Sequence, residues 1–225
     1  MEISINQGEI KNWDGSTLIL GILENDVEKQ LNRLDAPEKI FLSKKLIEND
    51  FNGKGGEIYC CEFLERKLNK LILVGLGKPE HLLIDDLRKA AAIGARASIG
   101  NSGKLGIILP WKLFNAELAL KAVGESVRLS IFKDNRFRSK PDKKVYPKSL
   151  EVFDIDQTGE KCLREISPVC AGVELARELV GAPPNKLTPT SLAEEAVSIA
   201  NEYGLEVKIL DKHKCQEKKM GAYLA

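Results

Sequence analysis

The sequence predicts an α/β fold in which a mixed or mostly parallel sheet is layered with helices. Short apolar runs that suit buried strands alternate with amphipathic stretches of about 10 to 20 residues that suit helices. At 225 residues, the chain has room for one ordinary domain and part of another. Its 34 Lys and Arg against 33 Asp and Glu give no general attraction to nucleic acid or anionic lipid.

The first part of the chain supplies most of this alternation. Ser16 to Leu23 is a short apolar run bounded by turn residues, which suits a buried strand better than a helix. Further strands are predicted at 57–63, 71–74, 104–109 and 152–155, where Pro110 ends the fourth of the five because proline cannot continue a ladder. Apolar residues at helical spacing predict the intervening helices at 27–34, 83–99 and 113–132.

A basic segment from about residue 134 to 149 interrupts the pattern. It contains Pro141 and Pro147 and keeps no period, so we expect a loop or interdomain linker. Phe137 lies among its cations, and such a patch can hold phosphates and stack a base, so DNA binding stays open as an alternative. The cations of this basic segment are Arg136, Arg138, Lys140, Lys143, Lys144 and Lys148, of which the first five form the cluster around Phe137.

The second part of the chain reads as one αβ unit cut from a larger sheet. Ser167-Pro168 predicts the start of a helix that ends at Gly181, before Pro183-Pro184. Thr188-Pro189 begins the next helix, which closes at Gly204, and the alternation over 205–209 predicts a strand. We therefore predict an N-terminal α/β domain at 1–159 and a second, truncated domain at 160–225.

The glycine-rich turns do not form nucleotide sites. Gly75-Leu76-Gly77 follows a strand, but Glu80 stands where a dinucleotide-binding fingerprint needs glycine. Gly53-Lys54-Gly55-Gly56 lacks the Ser or Thr that follows the lysine of a phosphate loop. Both are interpreted as turns.

Metal-ligating residue types are present without a metal-site pattern. His81 and His213 stand alone, and the neighbouring carboxylates Asp85-Asp86 and Glu194-Glu195 diverge by about 100° on a helix, so neither pair can clamp one ion. No Gly-x-Ser-x-Gly elbow occurs, which leaves a serine hydrolase unsupported. No catalytic, metal-binding or substrate-binding residue is predicted.

The compartment is predicted to be the cytoplasm. The N terminus has no basic region followed by an apolar run, and no stretch reaches the length of a membrane span. The five cysteines include no Cys-x-x-Cys pair, which suits reduced thiols in the cytosol.

The segment Ala176 to Pro189, which reads ARELVGAPPNKLTP, resembles the entry to the catalytic domain of the leucyl aminopeptidase (cytosol aminopeptidase) family. Met220-Gly221-Ala222 follows it in the order expected for that family. Weaker similarities lie at Phe51 to Glu57, Leu71 to Gly77, Leu87 to Ala91 and Gly124 to Lys140. Together with the C-terminal segment, they extend the resemblance over nearly the whole chain.

The resemblance implies a macro-domain-like N-terminal α/β/α domain, followed by the truncated start of an aminopeptidase catalytic domain. It implies removal of N-terminal amino acids, preferably leucine, by two divalent metals (Mn or Zn) in a cytosolic homohexamer. The family's ligand segments, Lys-Gly-x-Thr-Phe-Asp-x-Gly-Gly and Asn-Thr-Asp-Ala-Glu-Gly-Arg, do not occur here, so the chain alone is expected to be inactive and metal-free. Asn185, with Pro183 and Pro184, is expected to fix a turn. A non-catalytic small-ligand module is the second alternative.

Overall fold

A computed structural model describes residues 1–34, 36–63, 67–156 and 160–224. The chain divides into two compact units, Met1–Ala176 and Arg177–Ala225. Within the described ranges, no helix combines the length and the apolar character needed to cross a membrane.

The first unit is built on a six-stranded sheet. Its strands are β1 (Glu2–Asn6), β2 (Thr17–Leu23), β3 (Ile58–Glu62), β4 (Lys70–Gly77), β5 (Lys104–Ile108) and β6 (Ser149–Phe153). Their order across the sheet is β1-β6-β5-β2-β4-β3. All neighbours are parallel except β3, which runs antiparallel to β4 along one edge. β2, at the centre, is apolar along its length and buried on both faces, as expected of an inner parallel strand.

Helices cover both faces of this sheet. The first unit contains α1 (Val27–Leu31), α2 (Ala36–Glu48), α3 (Ile84–Ala97), α4 (Ala116–Ser130) and the start of α5 (Glu160–Gly181). Ile19 of β2 packs in one hydrophobic cluster with residues of α3 and α4, whereas its neighbours Leu18 and Leu20 pack in a second cluster with residues of α1 and α2. Alternate side chains of a strand point to opposite faces, so the unit has three layers.

The second unit contains the end of α5, then α6 (Pro189–Tyr203) and α7 (Lys212–Glu217). Thr188 caps α6 by accepting a hydrogen bond from the Ser191 amide at 3.2 Å, and Gly204 ends it in the left-handed conformation at φ 66°. The Thr188-Pro189 start and the Gly204 end are both as the sequence predicts.

The predicted α/β class with a mostly parallel sheet is confirmed. The five predicted strands match β2 to β6, although β6 begins at Ser149, before the predicted 152, and the helices predicted at 83–99 and 113–132 match α3 and α4. Three elements were not predicted: β1, α2 and α7. The boundary predicted at 159/160 stays a prediction, and residues 157–159 lie outside the described residues.

Two predictions for the second part of the chain were wrong. The helix predicted to start at Pro168 begins at Glu160 and carries Pro168 in its interior, where proline costs about 3 kcal/mol. Burial of Cys162 and Ile166, both before the proline, offsets that cost. The strand predicted over 205–209 does not form, because none of the described residues pairs with it; Leu205 stays 61% exposed.

Candidate functional site

The candidate site is a crevice of about 900 Å³ at the carboxyl edge of the sheet. Four segments line it: residue 7 after β1, residues from Leu23 at the end of β2 through α1 to Arg33, residues 109–113 after β5, and residues 154–156 after β6. The two parallel neighbours of β2 are β4 on one side and β5 on the other. After β2, the chain places β3 and β4 on one side of it and then β5 and β6 on the other, so the sheet has a topological switch point between β2 and β5. Ligands of open α/β sheets usually bind in a crevice at such a switch point.

The walls of the crevice are tied together at residues 153–155. Trp111, 4% exposed, donates from Nε1 to the Phe153 carbonyl at 2.7 Å, and Gln7 donates from Nε2 to the Ile155 carbonyl at 3.1 Å. Arg33 forms an ion pair with Asp154. Three of the four segments are therefore held to residues 153–155, so their positions do not require a bound ligand.

Two residues at this edge have backbone conformations that are uncommon outside glycine. Asn25, after β2, has φ 65°, and Asp154, after β6, has φ 59°. Asn and Asp tolerate the left-handed region better than other side chains, yet each still costs of the order of 1 kcal/mol. Such strain tends to persist where a site needs it.

The charges that line the crevice are of both signs. The lining contains three cationic side chains and three carboxylates: Lys29, Arg33, Lys112, Asp26, Asp154 and Asp156. Partial burial lowers the pKa of Arg33 below its ordinary value. Gln30 also lines the crevice, and its Oε1 is buried without a hydrogen-bond partner among the described residues.

Sequence reasoning assigned none of these residues. They come from loops that are widely separated in sequence, and no short motif links Gln7, Arg33, Trp111 and Asp154. A weaker signal existed: Asp26 and Pro110 come shortly after two predicted strands, and the carboxyl ends of parallel strands meet at one edge. Asp154 gave no such signal, because the strand predicted at 152–155 included it.

The two glycine-rich segments pack against each other. A Cβ on Gly75 would lie 2.0 Å from the Lys54 carbonyl oxygen, because residues 53–56 lie against β4. Gly53 and Gly77 have φ of 80° and 79°, which side chains rarely adopt. The interpretation of residues 53–56 as a turn is supported, because the Glu57 amide donates to the Lys54 carbonyl at 3.0 Å. The interpretation of Gly75 to Gly77 as a turn was wrong: these residues continue β4 and pair with Ile22 and Leu23 of β2.

The metal-ligating residue types are dispersed. No group of three or more His, Cys, Asp or Glu side chains able to hold a metal occurs in the part of the chain that the structure describes. The Asp86 carboxylate accepts from the Leu83 amide at 3.0 Å at the start of α3, and this bond lowers the pKa of Asp86. His81 is exposed, and exposed His213 lies 3.3 Å from Glu217. Asn185 lies in a turn closed by the Lys186 amide and the Pro183 carbonyl at 2.8 Å.

The basic segment is partly neutralised by its own carboxylates. Arg136 donates to both oxygens of Asp134, at 2.9 and 2.8 Å, and these bonds lower the pKa of Asp134 to about 2. The Arg136 guanidinium also lies 5.3 Å from the ring of Phe137. Asp142 accepts from the Lys144 amide at 2.9 Å. Arg138, Lys140, Lys143 and Lys144 are exposed.

Comparison with protein-family models finds two matches. The N-terminal domain of the cytosol aminopeptidase family matches residues 19–141, and the catalytic domain of the same family matches residues 174–225.

Similar curated proteins are described as probable cytosol aminopeptidases. The one from Prochlorococcus marinus strain MIT 9211 is 49% identical over 226 residues, which cover 100% of this chain and 46% of that protein. The one from Synechococcus sp. strain CC9311 is 38% identical over the same shares of each chain. The chain thus spans about half the length of the curated relatives it matches.

Similar solved structures agree with these matches. A mutant of tomato leucine aminopeptidase has a TM-score of 0.81 and 32% identity, covering 100% of this chain and 47% of that one. The bottromycin maturation enzyme BotP in complex with Mn has a TM-score of 0.68 and covers 90% of this chain and 40% of that one. At 19% identity, BotP is a likeness of fold.

Proposed function

Because the chain belongs to the cytosol aminopeptidase family, we propose that it supplies the N-terminal domain and the first part of the catalytic domain of an aminopeptidase. The proposed reaction is hydrolytic release of N-terminal residues, preferably leucine, from peptides in the cytoplasm. The proposed domains are residues 1–159 and 160–225, and the proposed assembly of the longer enzyme is a homohexamer. The proposed partners are peptide substrates, with no nucleic acid or membrane.

The observation that carries this proposal is the match of the catalytic-domain model to residues 174–225. The turn at Pro183 to Leu187 and the capped start of α6 support it, because they build the helix-turn-helix that the segment Ala176 to Pro189 implies. Relatives about twice as long as this chain support the proposal that further sequence completes the active site.

A cofactor of two divalent ions, manganese or zinc, is proposed for that longer enzyme. Such a pair polarises a scissile carbonyl and lowers the pKa of a bridging water. The residues present do not fit a site of this kind, since the described residues bring no three metal-ligating side chains together. We therefore propose that this chain alone neither binds the metals nor catalyses hydrolysis.

Two measurements test the proposal. Sequencing the reading frame beyond codon 225 is expected to find the Lys/Asp and Asp/Glu ligand segments, and the longer polypeptide is expected to hydrolyse leucine p-nitroanilide with added Mn²⁺ or Zn²⁺. The 225-residue chain is expected to show no turnover and no tight metal site by calorimetry. Turnover by the short chain would overturn the incomplete-site proposal. A longer polypeptide that binds metal but leaves the substrate intact would overturn the aminopeptidase assignment.

A further inference from the structure

We propose that the crevice at the carboxyl edge of the sheet binds a small zwitterion, a free amino acid or a short peptide with free termini. Arg33 would hold the ligand's carboxylate, and Gln30 with Asp26 would accept hydrogen bonds from its ammonium group. The proposal goes beyond aminopeptidase activity and does not depend on it, because the crevice is complete within residues 7–156.

The balance of charge selects this class of ligand. Three cationic and three anionic side chains line the crevice, so their formal charges cancel. A phosphate or nucleotide would gain from the cations but would be repelled by the three carboxylates of the same lining. A bare cation would need converging carboxylates, and no such group is present among the described residues. A molecule that carries one charge of each sign can use both sets.

Arg33 has the donors that a carboxylate needs. It pairs with Asp154 through Nη1, and a guanidinium offers five N–H donors in a planar fork. The side chain lines the crevice and is 36% exposed, so it is partly desolvated. A partly desolvated guanidinium binds carboxylate more strongly than one in open water.

Gln30 supplies an acceptor for the ligand's ammonium group. Its Oε1 is buried and accepts no hydrogen bond from the described residues, which is costly in the free protein. A ligand ammonium or amide N–H would satisfy this oxygen when the side chain turns toward the crevice. Asp26 lies in the same lining, and its recorded pair with Lys29 is long, at 3.6 Å, so its carboxylate retains capacity for a second cation.

The remaining walls suit the apolar part of an amino acid. Leu23, Leu109, Leu113 and Ile155 line the crevice beside Trp111. The hydrogen bonds of Trp111 and Gln7 hold these walls in place before a ligand arrives, which lowers the entropy cost of binding. A volume of about 900 Å³ leaves space for several residues of a peptide as well as for one amino acid.

The test is a calorimetric titration of the 225-residue chain with leucine and with leucyl-glycyl-glycine, in the presence of EDTA. Leucinamide lacks the carboxylate and N-acetylleucine lacks the ammonium group, so each is expected to bind about 10- to 100-fold more weakly than leucine, as expected for one lost charge-assisted bond. Tighter binding of the tripeptide would identify peptides as the source of the ligand, and tighter binding of leucine would identify free amino acids. EDTA separates this binding from any metal-dependent active site.

Two variants locate the binding. Arg33→Gln is expected to lower the affinity for leucine at least about 10-fold, so that leucine no longer binds more tightly than leucinamide. The matched control is Arg88→Gln, which removes an exposed arginine that pairs with Asp85 at 2.6 Å on α3, and it is expected to leave affinity unchanged. Gln30→Leu is expected to raise the melting temperature of the free chain, because it removes the unpaired oxygen, while weakening leucine about 10-fold.

Several results would overturn the proposal. These are the absence of binding by either zwitterion at millimolar concentration, equal binding of leucine and its two blocked analogues, and stronger binding of inorganic phosphate than of leucine. An unchanged affinity of Gln30→Leu for leucine would also overturn the proposal. If Arg33→Gln fails to fold, Gln30→Leu is the variant that tests the location of binding.

Discussion

Glu151 shows how one carboxylate can organise the start of the chain. It lies on β6, is 9% exposed, and accepts hydrogen bonds from Asn6 Nδ2 at 2.5 Å and from Trp13 Nε1 at 2.9 Å. Lys104 lies 3.3 Å from its other oxygen. Trp13 in turn fills the space left by Gly106, where a Cβ would lie 2.7 Å from the indole ring. The carboxylate therefore joins the end of β1 and the segment before β2 to β6.

Replacement of Glu151 by alanine is expected to lower the free energy of unfolding by about 2 to 4 kcal/mol, because two donors lose their acceptor in a buried place. Glu151→Gln keeps one acceptor oxygen and should cost less. The measurement is urea denaturation. Glu62→Ala is the control: Glu62 is 74% exposed and 3.5 Å from Lys70, and its loss is expected to cost less than about 0.5 kcal/mol. Equal losses in the two alanine variants would contradict this account.

Gly75 and Gly172 are predicted to respond in opposite directions to alanine. A Cβ on Gly75 would collide with the Lys54 carbonyl oxygen at 2.0 Å, so the turn must move and its bond from the Gly56 amide to the Gly75 carbonyl, 3.0 Å long, must weaken. We expect the free energy of unfolding to fall by about 1 to 3 kcal/mol.

Gly172, inside α5, has nothing within 4 Å of its Cβ position, and alanine there should stabilise the helix by about 0.5 to 1 kcal/mol. Thermal melting of both variants checks the pair, and destabilisation by Gly172→Ala would argue against a regular helix at that point.

At the scale of elements, strands were predictable from sequence where burial on both faces made them continuously apolar. β2 and β4 show this pattern, and β5 nearly so. β1 is short and at the edge of the sheet, with a weaker alternation of Ile3 and Ile5. α2 was missed because its apolar residues do not follow one stripe: Leu42 and Leu46 are buried, whereas Ile40 and Ile47 are exposed.

The errors had a tertiary cause. The alternation over 205–209 is a local property, but a strand exists only with a partner for its amides and carbonyls, which local sequence does not specify. Pro168 is a helix-start signal that packing of Cys162 and Ile166 overrode. The crevice escaped prediction for a related reason, since Arg33 and Asp154 meet only once β6 has been placed beside β5.

The basic segment is the element whose behaviour should depend on acid pH. The side chain of Arg136, followed by its amide, lowers the pKa of Asp134 from 3.8 to about 2. A carboxyl whose pKa is depressed by folding stabilises the folded form above its unfolded pKa. The order of this segment should therefore be unaffected at neutral pH and be lost as pH falls from about 3.8 through about 2.

Carboxyl chemical shifts measured by NMR across an acid titration test this prediction. Asp134 is expected to titrate near 2, and Arg136→Gln should raise its midpoint toward 3.8. Arg138→Gln is the control and should move the midpoint much less, because the Arg138 charge affects Asp134 more weakly than the hydrogen bonds of Arg136 do. A midpoint near 3.8 in the unaltered chain would show that the Arg136 pair does not persist in solution.

At the scale of the whole molecule, the two units differ in how many apolar side chains are buried and in how many backbone amides and carbonyls have hydrogen-bond partners. The first contains the six-stranded sheet and both tryptophans, Trp13 and Trp111, each less than a tenth exposed. In the second, Ala200 is the one buried hydrophobic residue among those described. Leu205 donates its amide to the Ala200 carbonyl at 2.8 Å, and the described residues offer no ladder to the amides that follow, up to Leu210.

Hydrogen exchange is therefore predicted to separate the units. Amides of Leu71 to Val74 and of β5 should stay protected until the first unit unfolds, because these strands have partners on both sides. Amides 206–210 should exchange at rates close to those of an unstructured peptide, under conditions where tryptophan fluorescence, which reports only the first unit, is fully native. A dilution series is the control, since strand pairing between copies would protect 206–210 more at high protein concentration. Protection of 206–210 equal to that of β4 and independent of concentration would mean that this segment has a partner within the chain, and the second unit would then be a complete fold.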